Sequence, residues 1–215
     1  MSAQRAAFFD MDKTLVRVNT GRLYMKWRMA RGEAGWRDMA RFSRWMFRYS
    51  LGLLDPSDIT RRAVGTLTGI EEATFRRELG DWYQTHVRQH ISEAARREVE
   101  RCRARGDRLV VLTASTRYAA DPLALELDIE HVLATTLEVA HGKFTGECAT
   151  LCYGAGKVDV ARQWAAQHEV DLSQSAFYTD SVSDAPMLEV VGEPRVVNPD
   201  LRLGRLARQR GWPID

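Results

Sequence analysis

Hydrophobic positions along this chain fall into short unbroken runs, each closed by a polar residue. Ala6-Ala7-Phe8-Phe9 stops at Asp10, the run over Arg108–Thr113 stops at Thr113, and Ala176–Thr179 stops at Asp180. Arg195-Val196-Val197-Asn198 is a fourth. Apolar runs of this length, ended by a turn, predict strands buried on both faces. Helical periodicity separates them: Glu93 to Arg105 with a stop at Gly106, Lys157 to His168, a short helix from Asp184, and another after Pro199. Strands alternating with helices predict an α/β fold, a doubly wound parallel sheet covered on both sides. In such sheets ligands bind beyond the carboxyl ends of the strands, where Asp10, Thr113 and Asp180 fall.

Residues 17–90 break the alternation. They show helical periodicity with Trp27, Trp36, Trp45 and Trp82, and basic residues outnumber acidic ones between Gly21 and Arg62. The division predicted is a core formed by residues 1–16 and 91–215, with a helical insertion over 17–90 after the first strand. Its Trp and Met side chains are expected to pack the helices together, with arginines on the solvated outside. The alternative use of the basic face is an amphiphilic or strongly anionic phosphoester, or a membrane surface. Thr136 to Glu147, centred on His141-Gly142, predicts a β-hairpin.

Composition adds exclusions. With 31 basic and 29 acidic side chains the net charge is +2, which argues against a nucleic-acid partner. The longest aliphatic run, Leu109–Leu112, cannot cross a bilayer, and no apolar leader precedes Asp12. Cys102, Cys148 and Cys152 lack zinc-knuckle spacing. A reducing, cytoplasmic setting is expected. His86 and His90, four apart on a predicted helix, are read as exposed or capping residues and not as a zinc site.

Four pieces carry candidate chemistry. Asp10-Met11-Asp12-Lys13-Thr14 places two carboxylates close together after a buried strand, which calls for a cation or a shared proton. The pair suits a magnesium site with one carboxylate free to attack phosphorus; the plainer reading is a strand end and a turn. Asp180 emerges from another strand, while Asp184 before Ala185-Pro186 reads as a helix N-cap. Thr113-Ala114-Ser115-Thr116 offers hydroxyls and helix amides to phosphate oxygens, or a plain cap. Lys157, after Gly154-Ala155-Gly156, opposes the dipole at a helix start unless an anion offsets it.

Taken together, these pieces resemble the four motifs of the haloacid dehalogenase superfamily, in order, from Phe8 to about Trp212. The insertion and the ending Val196–Arg202 with Gly211-Trp212-Pro213 resemble the phosphoserine-phosphatase-like subgroup. The resemblance implies a Rossmann-like core with a helical cap, and a magnesium-dependent phosphatase acting on a small phosphomonoester. Asp10 would be the nucleophile and form an aspartyl-phosphate, and Asp12 the general acid and base. Thr113, Ala114 and Lys157 would hold the phosphoryl oxygens. Asp10, the backbone carbonyl of Asp12 and Asp180 would ligate Mg2+, with Asp184 orienting a bound water. Asn19, Arg61 and Arg62 fall where the subgroup contacts substrate from the cap. Asn19 stands where phosphoserine phosphatases carry a glutamate, which argues against phosphoserine.

Two alternatives bear on function. A phosphotransferase would pass the same phosphoryl group to an alcohol. A receiver-like signalling module also combines clustered aspartates, a hydroxyl and a lysine, but it lacks the large insertion, and its lysine follows the last strand.

Overall fold

The structure is a computed structural model that describes residues 4–33, 35–37, 40, 44 and 64–215. Arg61, Arg62 and Trp45 lie outside the described residues. Six strands form one sheet: β1 (Ala6–Phe9), β2 (Arg108–Thr116), β3 (His131–Ala140), β4 (Lys143–Thr150), β5 (Ala176–Thr179) and β6 (Glu193–Val196). The spatial order is β4-β3-β2-β1-β5-β6. All neighbours are parallel except β3 and β4. The helices with bounds among the described residues are α1 (Thr20–Ala30), α2 (Glu72–Trp82), α3 (Glu93–Ala104), α4 (Arg117–Glu126), α5 (Ala155–Gln167), α6 (Ala185–Leu188) and α7 (Leu201–Arg210).

The unbroken apolar runs have the expected cause. Successive side chains of β1 point to opposite faces, and both faces are covered. Ala7 and Phe9 share one core with Val111, Tyr178, Val99 of α3 and Leu123 of α4. Ala6 and Phe8 share the other with Val110, Phe177, Trp164 of α5 and Leu203 of α7. Central β1 is therefore pinned from both sides, and the residue that follows it has a fixed position.

Three details depart from the sequence reading. The last strand is Glu193–Val196, not Arg195–Asn198. The hairpin around His141-Gly142 is present, with φ of 51° and 75° at its two turn residues, as a two-residue hairpin turn requires. It is not a separate piece, however: β3 begins at His131, and its first half pairs in parallel with β2. Finally, β2 does not stop at Thr113. It continues to Thr116 through an irregularity between Thr113 and Thr116, a bulge that re-aims Ala114 and Ser115.

The described part of the insertion leaves with α1 and returns through α2, Tyr83–Val87 in wide π-type turns and Arg88–His90 in a tighter one. The return is tied to the core. Phe144 N donates to Ile70 O at 3.0 Å, Gly69 N donates to Phe144 O at 2.9 Å, and the Phe75, Tyr118 and Phe144 rings meet edge-on. Trp82 is buried, and Trp27 is partly buried against the same core. Trp36 is 71% exposed, so it does not share the packing role expected of the tryptophans.

Candidate active site

The parallel arrangement of β1, β2 and β5 brings Asp10, Thr113 and Asp180 to one edge of the sheet. Asp10 N still donates to Tyr178 O at 2.9 Å, so the first carboxylate is held by the last rung of the ladder. The chain then turns sharply. Leu15 N and Val16 N both donate to Met11 O at 3.0 Å, and Lys13 takes a left-handed φ of 54°. This turn directs the Asp12 side chain to the start of α1, where Thr20 N and Thr20 Oγ1 donate to its Oδ1 at 3.1 and 2.6 Å.

Lys157 is the centre of the cluster. It is 1% exposed, and its Nζ donates at 2.7 Å to Asp10 Oδ1 and at 2.7 Å to Asp184 Oδ2. The sequence posed this lysine as electrostatically misplaced at a helix start, and the two carboxylates supply what offsets it. Local backbone chemistry fixes its position. Gly154 adopts φ 54° and ψ −123°, which a side chain would oppose, and a Cβ on Gly156 would collide with the carbonyl oxygen of Leu151. Asp184 Oδ2 also accepts from Thr179 Oγ1 at 2.7 Å, so this residue does more than begin a short helix. Asp180 is paired with Lys13, whose Nζ lies 3.3 Å from Asp180 Oδ2.

Thr113 is buried, and its Oγ1 accepts from Ser115 N at 3.1 Å, while Ala114 is exposed at the bulge. Asn19 is the N-cap of α1, its side chain accepting from Arg22 N at 2.9 Å. Sequence reasoning missed Thr20 and Lys13. Nothing in the linear pattern singled out either residue.

The electrostatics show a surplus of negative charge. Burial pushes the Asp10 carboxyl up to about 8, with the Asp184 and Asp180 charges adding to it against Lys157. Burial also raises Asp180, to about 6, with Lys13 pulling it back. Asp12 is raised by burial and eased by its two bonds from Thr20. For Lys157, burial works against the charge, yet Asp10 and Asp184 hold the ammonium above its ordinary value. Four carboxylates (Asp10, Asp12, Asp180, Asp184) thus face two ammonium groups (Lys13, Lys157). With all four ionised, two charges would stand uncompensated, so the cluster either keeps protons on its carboxyls, as the raised values show, or takes a hard divalent cation on its oxygens. Among the described residues no group of three His, Cys, Asp or Glu side chains is placed to hold a metal. The expected ligand set has only two carboxylate side chains, Asp10 and Asp180, with a backbone oxygen as the third, and so is compatible with that.

A Rossmann-like α/β core with an aspartate-rich cluster and a buried lysine at its carboxyl edge is the arrangement that the motif resemblance implied. The haloacid dehalogenase-like hydrolase family matches residues 7–189, and the chain belongs to that family. Its relatives include a Mycobacterium tuberculosis protein named a "Probable phosphatase", 33% identical over 99% of this chain and 75% of that one. A phosphoserine phosphatase of the same organism is 30% identical over 97% of this chain and 70% of its own. A histidinol-phosphatase of Neisseria meningitidis is 28% identical over 97% and 96% respectively. The solved structure of a Bordetella pertussis protein of unknown function superposes with a TM-score of 0.89 at 28% identity, covering 99% of this chain and 98% of that one. The chain is therefore a member of the haloacid dehalogenase-like hydrolase family, related to proteins named phosphatase and phosphoserine phosphatase.

Proposed function

We propose that this phosphatase hydrolyses a small phosphomonoester through a covalent aspartyl-phosphate on Asp10. The observation that carries the reading is the buried Asp10–Lys157–Asp184 bridge at the carboxyl edge of β1. Lys157 occupies Asp10 Oδ1 and leaves Oδ2 without a hydrogen bond among the described residues, the oxygen available to attack phosphorus. In that step the Asp10 oxygen bonds to phosphorus as the ester P–O bond breaks, and Asp12 delivers its proton to the departing oxygen. Asp12 then takes a proton from the water that attacks the acyl phosphate, releasing phosphate and restoring Asp10. Thr113, Ala114 and Lys157 are proposed to hold the phosphoryl oxygens, and Lys157 offsets charge gathered there. Asp10, the Asp12 carbonyl and Asp180 would hold Mg2+, with Asp184 beside it; the bound ion would supply charge neutralisation for the phosphoryl group.

We further propose that residues 17–90 act as the cap, and that phosphoserine is not the preferred substrate. The relatives' names include both a phosphoserine phosphatase and a histidinol-phosphatase, so this family relationship spans more than one phosphomonoester. An amide at Asn19, in place of the expected glutamate, gives no charged partner to a substrate ammonium. Among the described residues no helix is long and apolar enough to cross a membrane. The three cysteines are free, which suits the reducing cytoplasmic setting we infer.

A phosphomonoester panel with Mg2+ tests the reading, with Asp10→Asn and a chelator as controls. The expected result is release of phosphate that both controls abolish, with phosphoserine well below the best substrate. Full turnover by Asp10→Asn would overturn the nucleophile assignment. Competing alcohols in the same assay separate hydrolysis from transfer.

A further inference from the structure

Thr20 is the first residue of α1, the helix that opens the insertion, yet it is only 2% exposed and faces the core. Its backbone N–H is one of the amides a helix leaves unsatisfied at its start, and here the Asp12 carboxylate takes it. Its hydroxyl takes the same oxygen at the shorter distance of 2.6 Å, and lies 3.4 Å from Ser115 Oγ at the bulge of β2. Asp12, the start of the insertion and the end of β2 therefore meet at one side chain.

We propose that Thr20 is a positioning residue for the general acid, fixing the rotation of the Asp12 carboxyl so that its other oxygen, Oδ2, is aimed at the leaving oxygen. The inference rests on the reading of Asp12 given above. The Thr20 N–H, which can only donate, and the Thr20 hydroxyl both engage Oδ1, so this oxygen is the anchored one of the pair. Oδ2 has no hydrogen-bond partner among the described residues and is the oxygen free to meet a substrate. The donors also fix the rotation of the carboxylate, which sets where Oδ2 points. Because Thr20 is the first residue of α1, the acid is correctly oriented only while the start of the insertion sits where it does here.

The test is the dependence of kcat/KM on leaving-group basicity, measured with aryl phosphates of graded phenol acidity and with an alkyl phosphate such as glycerol 2-phosphate. Thr20→Val keeps the shape and the backbone N–H but loses the hydroxyl. It is expected to lose about tenfold or more on the alkyl phosphate, because general acid catalysis contributes on the order of 10²–10⁴. On p-nitrophenyl phosphate, whose leaving group needs little protonation, it should change far less. Thr20→Ser, which restores the hydroxyl, should restore the wild-type slope. An equal loss on all esters, or none on any, would overturn the positioning role. Asp12→Asn in the same series separates this from the underlying assignment: if that variant shows no leaving-group dependence, Asp12 is not the acid, whatever Thr20 does.

Discussion

Lys157 carries more of the site than any other side chain, because it is buried between two carboxylates that would otherwise repel each other. Removing one member of a buried charge group leaves its partners uncompensated, at a cost of about 3–5 kcal/mol. Lys157→Met should therefore lower unfolding stability by that order in urea titration at neutral pH, besides abolishing phosphatase activity. A change below about 1 kcal/mol would mean that Asp10 and Asp184 are not electrostatically dependent on the lysine. At this scale Asp10, at a strand end, and Lys157 and Asp184, at helix starts, were legible as candidates from local pattern, and the structure joins these three; Thr113 was read as a strand end but lies inside β2. Thr20 and Lys13 were not legible: their partners depend on a left-handed turn at Lys13, which a lysine seldom adopts and no spacing announces. The exchange between Lys157 and Asp184 was likewise invisible, since it needs two helix starts to be brought together in space.

Among the elements, β1 and the loop before α5 do the positioning. Phe8 is fully buried and packs edge-on against Trp164 with ring centroids 5.6 Å apart. Phe8→Ala should cost about 3–5 kcal/mol of stability, measured by urea unfolding. Gly156→Ala is expected to act differently. Its methyl group would meet Leu151 O and displace the first turn of α5, carrying Lys157 with it, so activity should fall more steeply than stability. Unchanged kcat/KM in that variant would contradict the positioning argument. The strands β1 and β5 could be read directly from their apolar runs, since burial on both faces leaves no alternation to confuse. The first half of β3 could not, because Ala134-Thr135-Thr136 mixes small and polar residues and the hairpin signal that follows dominates the segment. The bulge in β2 was hidden for a similar reason: Thr113–Thr116 reads equally as a strand end or a helix cap.

For the molecule as a whole, the proposed Mg2+ site makes stability a function of divalent cation. An ion that binds only the folded chain stabilises it by about 2.7 kcal/mol at one hundred times its Kd. For a chain of this size that corresponds to a rise of roughly 5–10 °C in Tm. Mg2+ should raise Tm in this way, Ca2+ or a chelator exchange should be distinguishable by the same scan, and Asp180→Asn should remove most of the effect. No response of Tm to Mg2+ up to the millimolar range would argue against the ligand set. The covalent step proposed on Asp10 is the centre of the account. It is tested most directly by quenching the enzyme in acid during turnover of a good phosphomonoester and mapping the phosphoryl group by mass spectrometry. The account predicts a hydroxylamine-labile phosphoryl adduct on the peptide containing Asp10, absent in Asp10→Asn. An adduct on another residue, or turnover with no adduct under conditions where dephosphorylation is slowed, would contradict it.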